Sequence, residues 1–203
     1  MHAREMSRAA AFTLLFVLRT APCAACTVWE RLPVKLFNDA AVGNEVLRPA
    51  KEEAAWLLKS VCVQVTWILC PVVTVSHQEP CAAPVDAIEL HILSSPATND
   101  FAEKVMGIAF PARGSRGHVG VFLSRVRQTA ALNAGVIDMP RLLGHVMAHE
   151  IGHLLLRSSA HSSEGLMRAD LQRADLKKAG QRQLKFTREQ VETIHRTMLA
   201  QKR

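Results

Sequence analysis

The sequence contains no tyrosine and only ten aromatic residues, 7 Phe and 3 Trp. With so few stacking platforms and no block of five basic residues, it lacks the footprint of a nucleic-acid-binding protein, despite a formal net charge of +7. Long apolar runs are scarce as well. A single run near the N-terminus reaches ten residues, against the roughly 20 that a membrane-spanning helix needs, which excludes a polytopic membrane protein. Internal repeats and low-complexity tracts are missing, which argues against a solenoid or array. Charged residues make up 21% and hydrophobic residues 49% of the 203 positions, enough apolar material for a core. Extensive disorder is excluded on that ground.

The one long apolar run belongs to a targeting plan. Arg4 and Arg8 precede the largely apolar stretch 9–18, and small residues Ala21, Cys23, Ala24 and Ala25 follow it. Residues 1–25 therefore read as a signal peptide cleaved after Ala25, leaving a domain over 27–203. Arg19 at the end of the run keeps an uncleaved anchor as the alternative. Lipid attachment at Cys23 or Cys26 is disfavoured, because the residue three positions earlier is Thr20 or Cys23 instead of leucine. The expected location is secreted or extracytoplasmic, periplasmic in a Gram-negative bacterium, with no membrane span once the signal is removed. Losing Arg4, Arg8, Arg19 and Glu5 lowers the net charge from +7 only to +5, so the remaining chain stays mildly basic.

Export admits disulfides. Cys70 and Cys81 bracket CPVVTVSHQEPC, whose two prolines and polar residues suit a surface excursion closed by a bridge. Cys62, inside the apolar VCVQVTWIL, reads as a buried small hydrophobe and not as a ligand. Cys23 and Cys26 are set aside with the signal region, so no CxxC pair of zinc-finger type remains.

Along the chain, Val34 to Phe37 is a short strand candidate, and LRPAKEEAAWLLKSV from Leu47 carries helix-start signals in Pro49, Glu52 and Glu53. The stretches 62–69 and 88–93 read as strands. Residues 101–117, with four charges, three glycines and a proline around MGIAFP, read as a loop or bulge before a strand in HVGVFLSRV. Asp138 can cap a helix with Pro140 in its first turn, running through MPRLLGHVMAHEIGHLLLR to about Arg157. Thr187 with Gln190 three residues later is a capping-box signature for a final helix to about Gln201. The simplest architecture is one α+β domain with a twisted, mostly antiparallel or mixed sheet, a central helix and a C-terminal helix.

His149, Glu150 and His153 spell HEIGH within that central helix. Four residues make about 1.1 helical turns, so both imidazoles leave the same face and can reach one ion, with Glu150 beside it. Random placement of this chain's histidines and glutamates would give roughly 0.02 such matches. A catalytic zinc site takes three protein ligands and keeps a fourth position open for water. His161, eight residues past His153 and beyond the expected helix end, is the leading third ligand. Glu164, Glu189 and Glu192 are carboxylate alternatives. His145 fits poorly, since His145, His149 and His153 would form a line about 12 Å long on one helix; it reads as a packed residue. His91 and His118 read as ordinary strand histidines.

The stretch HEIGHLLLRSSAHSSEGLM resembles the active-site segment of the metzincin metalloproteases, matrixins in particular: HExGH, a later His-Ser pair, and a methionine turn. The resemblance implies a zincin-like fold, Zn²⁺ held by His149, His153 and His161, Glu150 as general base, and Met167 as the turn methionine beneath the metal. It also implies an edge strand that pairs with an extended peptide, placed at Val119, Gly120, Val121, Phe122, Leu123 and Ser124. Two departures stand out. The family pattern HExxHxxGxxH has a glycine where this chain has Leu156, and His161 comes two residues late, so Arg157-Ser158-Ser159-Ala160 must turn the chain without glycine. The tyrosine that some members carry near the methionine turn has no counterpart. The implied activity is an exported zinc endopeptidase acting as a monomer on peptide or protein substrates. A catalytically weak, zinc-stabilised peptide-binding protein and a metal-dependent hydrolase of another substrate are the competing readings.

Overall fold

The computed structural model describes residues 26, 29–71, 81, 84, 86–98, 101–112 and 116–200. Residues 1–25, expected to be a signal segment, lie outside the described residues. Among those described, the order is β1 (Glu30–Phe37), α1 (Asn44–Lys59), β2 (Val63–Cys70), β3 (Ile88–Leu93), β4 (Gly107–Phe110), β5 (His118–Phe122), α2 (Leu123–Leu132), α3 (Met139–Leu156), α4 (Arg173–Gly180) and α5 (Arg188–Ala200). No helix among them is long and apolar enough to cross a membrane.

The five strands form one mixed sheet in the order β2-β1-β3-β5-β4. β1 runs parallel to both β2 and β3, and β3 runs parallel to β5; only β4 is antiparallel to its neighbour. The sheet is thus mixed, as expected, but mostly parallel. The cause is the 16-residue helix α1 between β1 and β2, a crossover that returns the chain to the same end of the sheet, as parallel pairing requires.

Alternation fixes the buried face. Leu32, Val34 and Leu36 of β1 and Ile88, Leu90 and Ile92 of β3 are fully buried against the helical layer, in which α1 packs on α3. Burial of each such side chain contributes about 1.5–3 kcal/mol. The opposite face carries cross-strand pairs set by the register. Glu89 lies between Lys35 (3.3 Å) and His118 (3.1 Å), its partners on β1 and β5. His91 stacks on Phe37 at 4.4 Å and pairs with Asp39 at 2.7 Å. Both histidines are ordinary strand residues, as read from the sequence.

Two disulfides are present among the described residues. Cys70 is bonded to Cys81, the expected pair. Cys62 is buried, as expected, and is bonded to Cys26, whose 36-position separation left no local signal. Cys62 has a left-handed backbone (φ 62°) in the turn between α1 and β2, where it meets the segment entering β1. A sulfur engaged in that bridge cannot carry a lipid thioether.

Other boundaries shift for readable reasons. α1 begins at Asn44, one turn before Pro49, which sits inside the helix. The strand expected through HVGVFLSRV stops at Phe122. From there Leu123, Val126 and Ala130 are buried at helical spacing and form one face of α2. α4 was not anticipated; Gln172 and Asp175 form its reciprocal capping box.

Candidate metal centre

α3 starts where the sequence indicated. The Asp138 side chain accepts a hydrogen bond from Arg141 N at 2.8 Å, and Pro140 lies in the first turn. It ends without glycine: Arg157 itself adopts the left-handed conformation (φ 51°, ψ 39°), and its N–H and that of Ser158 point back to the Leu154 and His153 carbonyls. That turn places the Ser158 carbonyl 2.8 Å from His153 Nδ1. The longer spacing before His161 is accommodated here.

The three histidines meet. His149 and His153 Nε2 lie 3.1 Å apart, His153 and His161 Nε2 lie 3.2 Å apart, and all three ligand atoms fall within 4.8 Å of one another. Bonds of 2.0–2.1 Å to a tetrahedral zinc would set such atoms about 3.3 Å apart. His149 Nδ1 faces the Leu166 carbonyl at 2.8 Å, so in both helix histidines the Nδ1–H donates to a backbone oxygen and the Nε2 lone pair points inward. Inward lone pairs without a donor between them suit a cation.

Electrostatics agree with that reading. Burial pushes His149 down to about 4 and, with the backbone bond and neighbouring imidazoles as lesser influences, keeps it neutral. Burial also lowers His153 and His161. Neutral imidazole is the form that ligates metal. Among the described residues this ligand group contains His161 and none of Glu164, Glu189 or Glu192. The donor set is that of a zinc site.

Glu150 and the three histidines line one cavity of about 350 Å³, bounded on one side by residues of β4. Glu150 is 6% exposed, and burial raises its carboxyl to about 8. It fits beneath β4 because position 107 is glycine: a Cβ there would come 2.7 Å from Glu150 Cγ and Oε1. Met167, 1% exposed, packs under α3, its sulfur 2.7 Å from where a Cβ on Gly152 would stand. His145 lies outside the ligand group, as expected; its Nδ1 donates to the Arg141 carbonyl at 3.0 Å and lies 3.9 Å from Glu53 Oε1.

The expected peptide-pairing edge needs correction. Val119, Gly120, Val121 and Phe122 lie in β5, which is bonded to β3 on one side and β4 on the other, so its backbone groups are already used. Leu123 and Ser124 belong to α2. Among the described residues, the edge strand beside the cavity is β4, in the stretch read as a loop. Its signal is short: Gly107-Ile108-Ala109-Phe110 closed by Pro111, a residue tolerated at the margins of edge strands.

The sequence matches no protein-family model and no curated protein. Solved structures do match. A zinc-dependent peptidase from Methanocorpusculum labreanum superposes with a TM-score of 0.53 at 17% identity, covering 79% of this chain and 99% of that one. Archaemetzincin from Methanopyrus kandleri superposes with a TM-score of 0.50 at 13% identity, covering 84% and 96%. At such identities the likeness is one of fold, shared over nearly the whole of each neighbour and about four fifths of this chain.

Proposed function

We propose that this chain is a zinc-dependent endopeptidase of metzincin-like design. The observation that carries the proposal is the convergence, in one cavity, of three inward imidazole nitrogens, the buried carboxyl of Glu150 and the edge strand β4. His149, His153 and His161 would hold the metal. Bound there, zinc supplies Lewis acidity, lowering the pKa of water towards about 7 and polarising a carbonyl.

Glu150 is the proton carrier. It would accept a proton from the attacking water and return it to the leaving amine, from a buried position on the wall of the cavity that the three histidines also line. β4, the edge strand of the sheet among the described residues, borders the cavity and is a surface to which an extended peptide can add as a further strand. Pairing of that kind reads the backbone of a substrate and leaves side-chain preference to the cavity wall. The fold likeness to a zinc-dependent peptidase and to archaemetzincin supports the same reading.

The protein further acts, in this proposal, outside the cytoplasm as a monomer after cleavage behind Ala25. The two disulfides support an oxidising compartment. N-terminal sequencing of the exported protein should begin at Cys26.

The function is tested by chelator-sensitive cleavage of a diverse peptide library, run beside Glu150→Ala with bound zinc quantified in both proteins. Cleavage by the wild type alone, with zinc retained in both, is the expected result. Stoichiometric zinc without cleavage would replace the peptidase with a zinc-stabilised peptide-binding protein, and absence of zinc would remove the metal centre.

A further inference from the structure

His161 is the outlier among the three histidines. His149 and His153 are built into α3, whereas His161 is exposed and sits on an irregular turn with no glycine between the helix end and itself. Something other than helix geometry must hold its position. The next residue, Ser162, is tied at three points. Its N–H donates to the Met167 carbonyl (2.9 Å), its hydroxyl donates to the Glu164 carbonyl (2.6 Å), and its Oγ accepts from Gln190 Nε2 (2.9 Å).

Gln190 is itself fixed. It is 9% exposed, and its Oε1 accepts from Thr187 N at 2.9 Å while its own N–H donates to Thr187 Oγ1 at 3.3 Å, the reciprocal box that starts α5. Because the amide oxygen is occupied by an N–H, the amide nitrogen is the end that reaches Ser162. The Ser162 hydroxyl, accepting there, sends its own proton to Glu164 O. Every donor in this chain has one acceptor, and the direction of each bond is determined by the one before it.

The same stretch of chain fastens the rest of the turn. Leu166 N donates to the Lys185 carbonyl at 2.8 Å. Gly165, at φ 73°, leaves room that a Cβ would take only by approaching Thr187 Cγ2 to 2.8 Å and Lys185 O to 2.9 Å. The carbonyl of Leu166 is the one that orients His149. The loop that carries His161 and Met167 is thus docked along residues 185–190.

We propose that Gln190, acting through Ser162, is a positioning residue for His161, so that the start of the C-terminal helix sets the third ligand of the metal centre. This rests on the assignment of His149, His153 and His161 as ligands. It predicts that an interaction one residue removed from a ligand carries metal affinity, as hydrogen bonds behind metal ligands typically do, by a factor of about 10–100.

The test is a cycle of Zn²⁺ affinities on the full chain, measured by competition with a chromophoric chelator, with Co²⁺ absorption as a second readout of coordination. Ser162→Ala and Gln190→Ala should each weaken Zn²⁺ binding about 10–100-fold and alter the Co²⁺ spectrum. Ser162→Thr, which keeps the hydroxyl, should bind close to wild type. In a His161→Ala background, Gln190→Ala should weaken binding no further, because the residue it positions is gone. An equal loss from Gln190→Ala in both backgrounds would show a general effect on folding and overturn the proposal, as would wild-type affinity in Ser162→Ala. Failure of the underlying assignment looks different: a wild type that binds no Zn²⁺, or a His161→Ala protein that binds as tightly as wild type, would dismiss the ligand set and this proposal with it.

Discussion

Gly107 and Glu150 occupy one another's space: a Cβ on the first residue of β4 would come 2.7 Å from Glu150 Cγ. The carboxylate is thereby held under the strand proposed to bind the peptide. Gly107→Ala should push Glu150 aside while leaving the three histidines in place. Cleavage should fall at least tenfold, with zinc content unchanged, when kcat/KM and bound metal are measured on the same preparation.

Buried titrating groups give the metal-free protein opposite pH limbs. His149, lowered from 6.5 to about 4, contributes stability that is fully present above pH 6.5 and is lost as the pH falls towards 4. Glu150, raised from 4.5 to about 8, contributes stability present below pH 4.5 and lost as the pH rises through 8. Melting temperatures of chelator-treated protein should therefore drop on both sides. Glu150→Gln should flatten the alkaline limb by on the order of a few kcal/mol and leave the acid limb alone.

Arg157 makes a left-handed turn that costs a side-chain-bearing residue roughly 1–2 kcal/mol. Arg157→Gly should stabilise the fold by up to about 1 kcal/mol, the gain being reduced by the greater freedom of glycine in the unfolded chain. For a domain of this size the melting temperature should rise by about 2–4 °C. Zinc affinity should hold, since the Ser158 carbonyl that orients His153 keeps its place.

The bridges should differ in worth. Cys26–Cys62 closes a segment separated by 36 positions and Cys70–Cys81 one of 11, so loop-closure entropy makes the first stronger by about 1 kcal/mol. Denaturant unfolding of Cys26→Ser/Cys62→Ser and Cys70→Ser/Cys81→Ser double variants measures that order; equal losses would point to strain or residual structure in the unfolded chain.

Features with local signals were legible in the sequence. α3 could be read from Asp138, Pro140 and its apolar spacing, α5 from Thr187 and Gln190, and the metal group from HEIGH with His161 beyond the helix. Cys70 and Cys81 frame their own loop. Features made by distant pairing were not. Nothing in ERLPVKLF says that it will lie parallel between β2 and β3, and Cys62 gives no local hint of Cys26. β4 is only four residues long, too short for alternation to stand out from a loop. β5 and α2 abut at Phe122 and Leu123 with no breaker between them, so the change of period was concealed inside one apolar run.

The backbone carbonyls that orient the two helix histidines both come from chain downstream of the helix: Ser158 for His153 and Leu166 for His149, the latter docked on Lys185. During synthesis, α3 can therefore emerge with its two imidazoles while nothing yet aims them. The two imidazoles are aimed only after the chain as far as residue 185 has followed the helix out of the ribosome. A chain in transit carries the HExxH helix without an assembled metal centre, and a molecule truncated ahead of residue 185 would keep that helix and lose the brace.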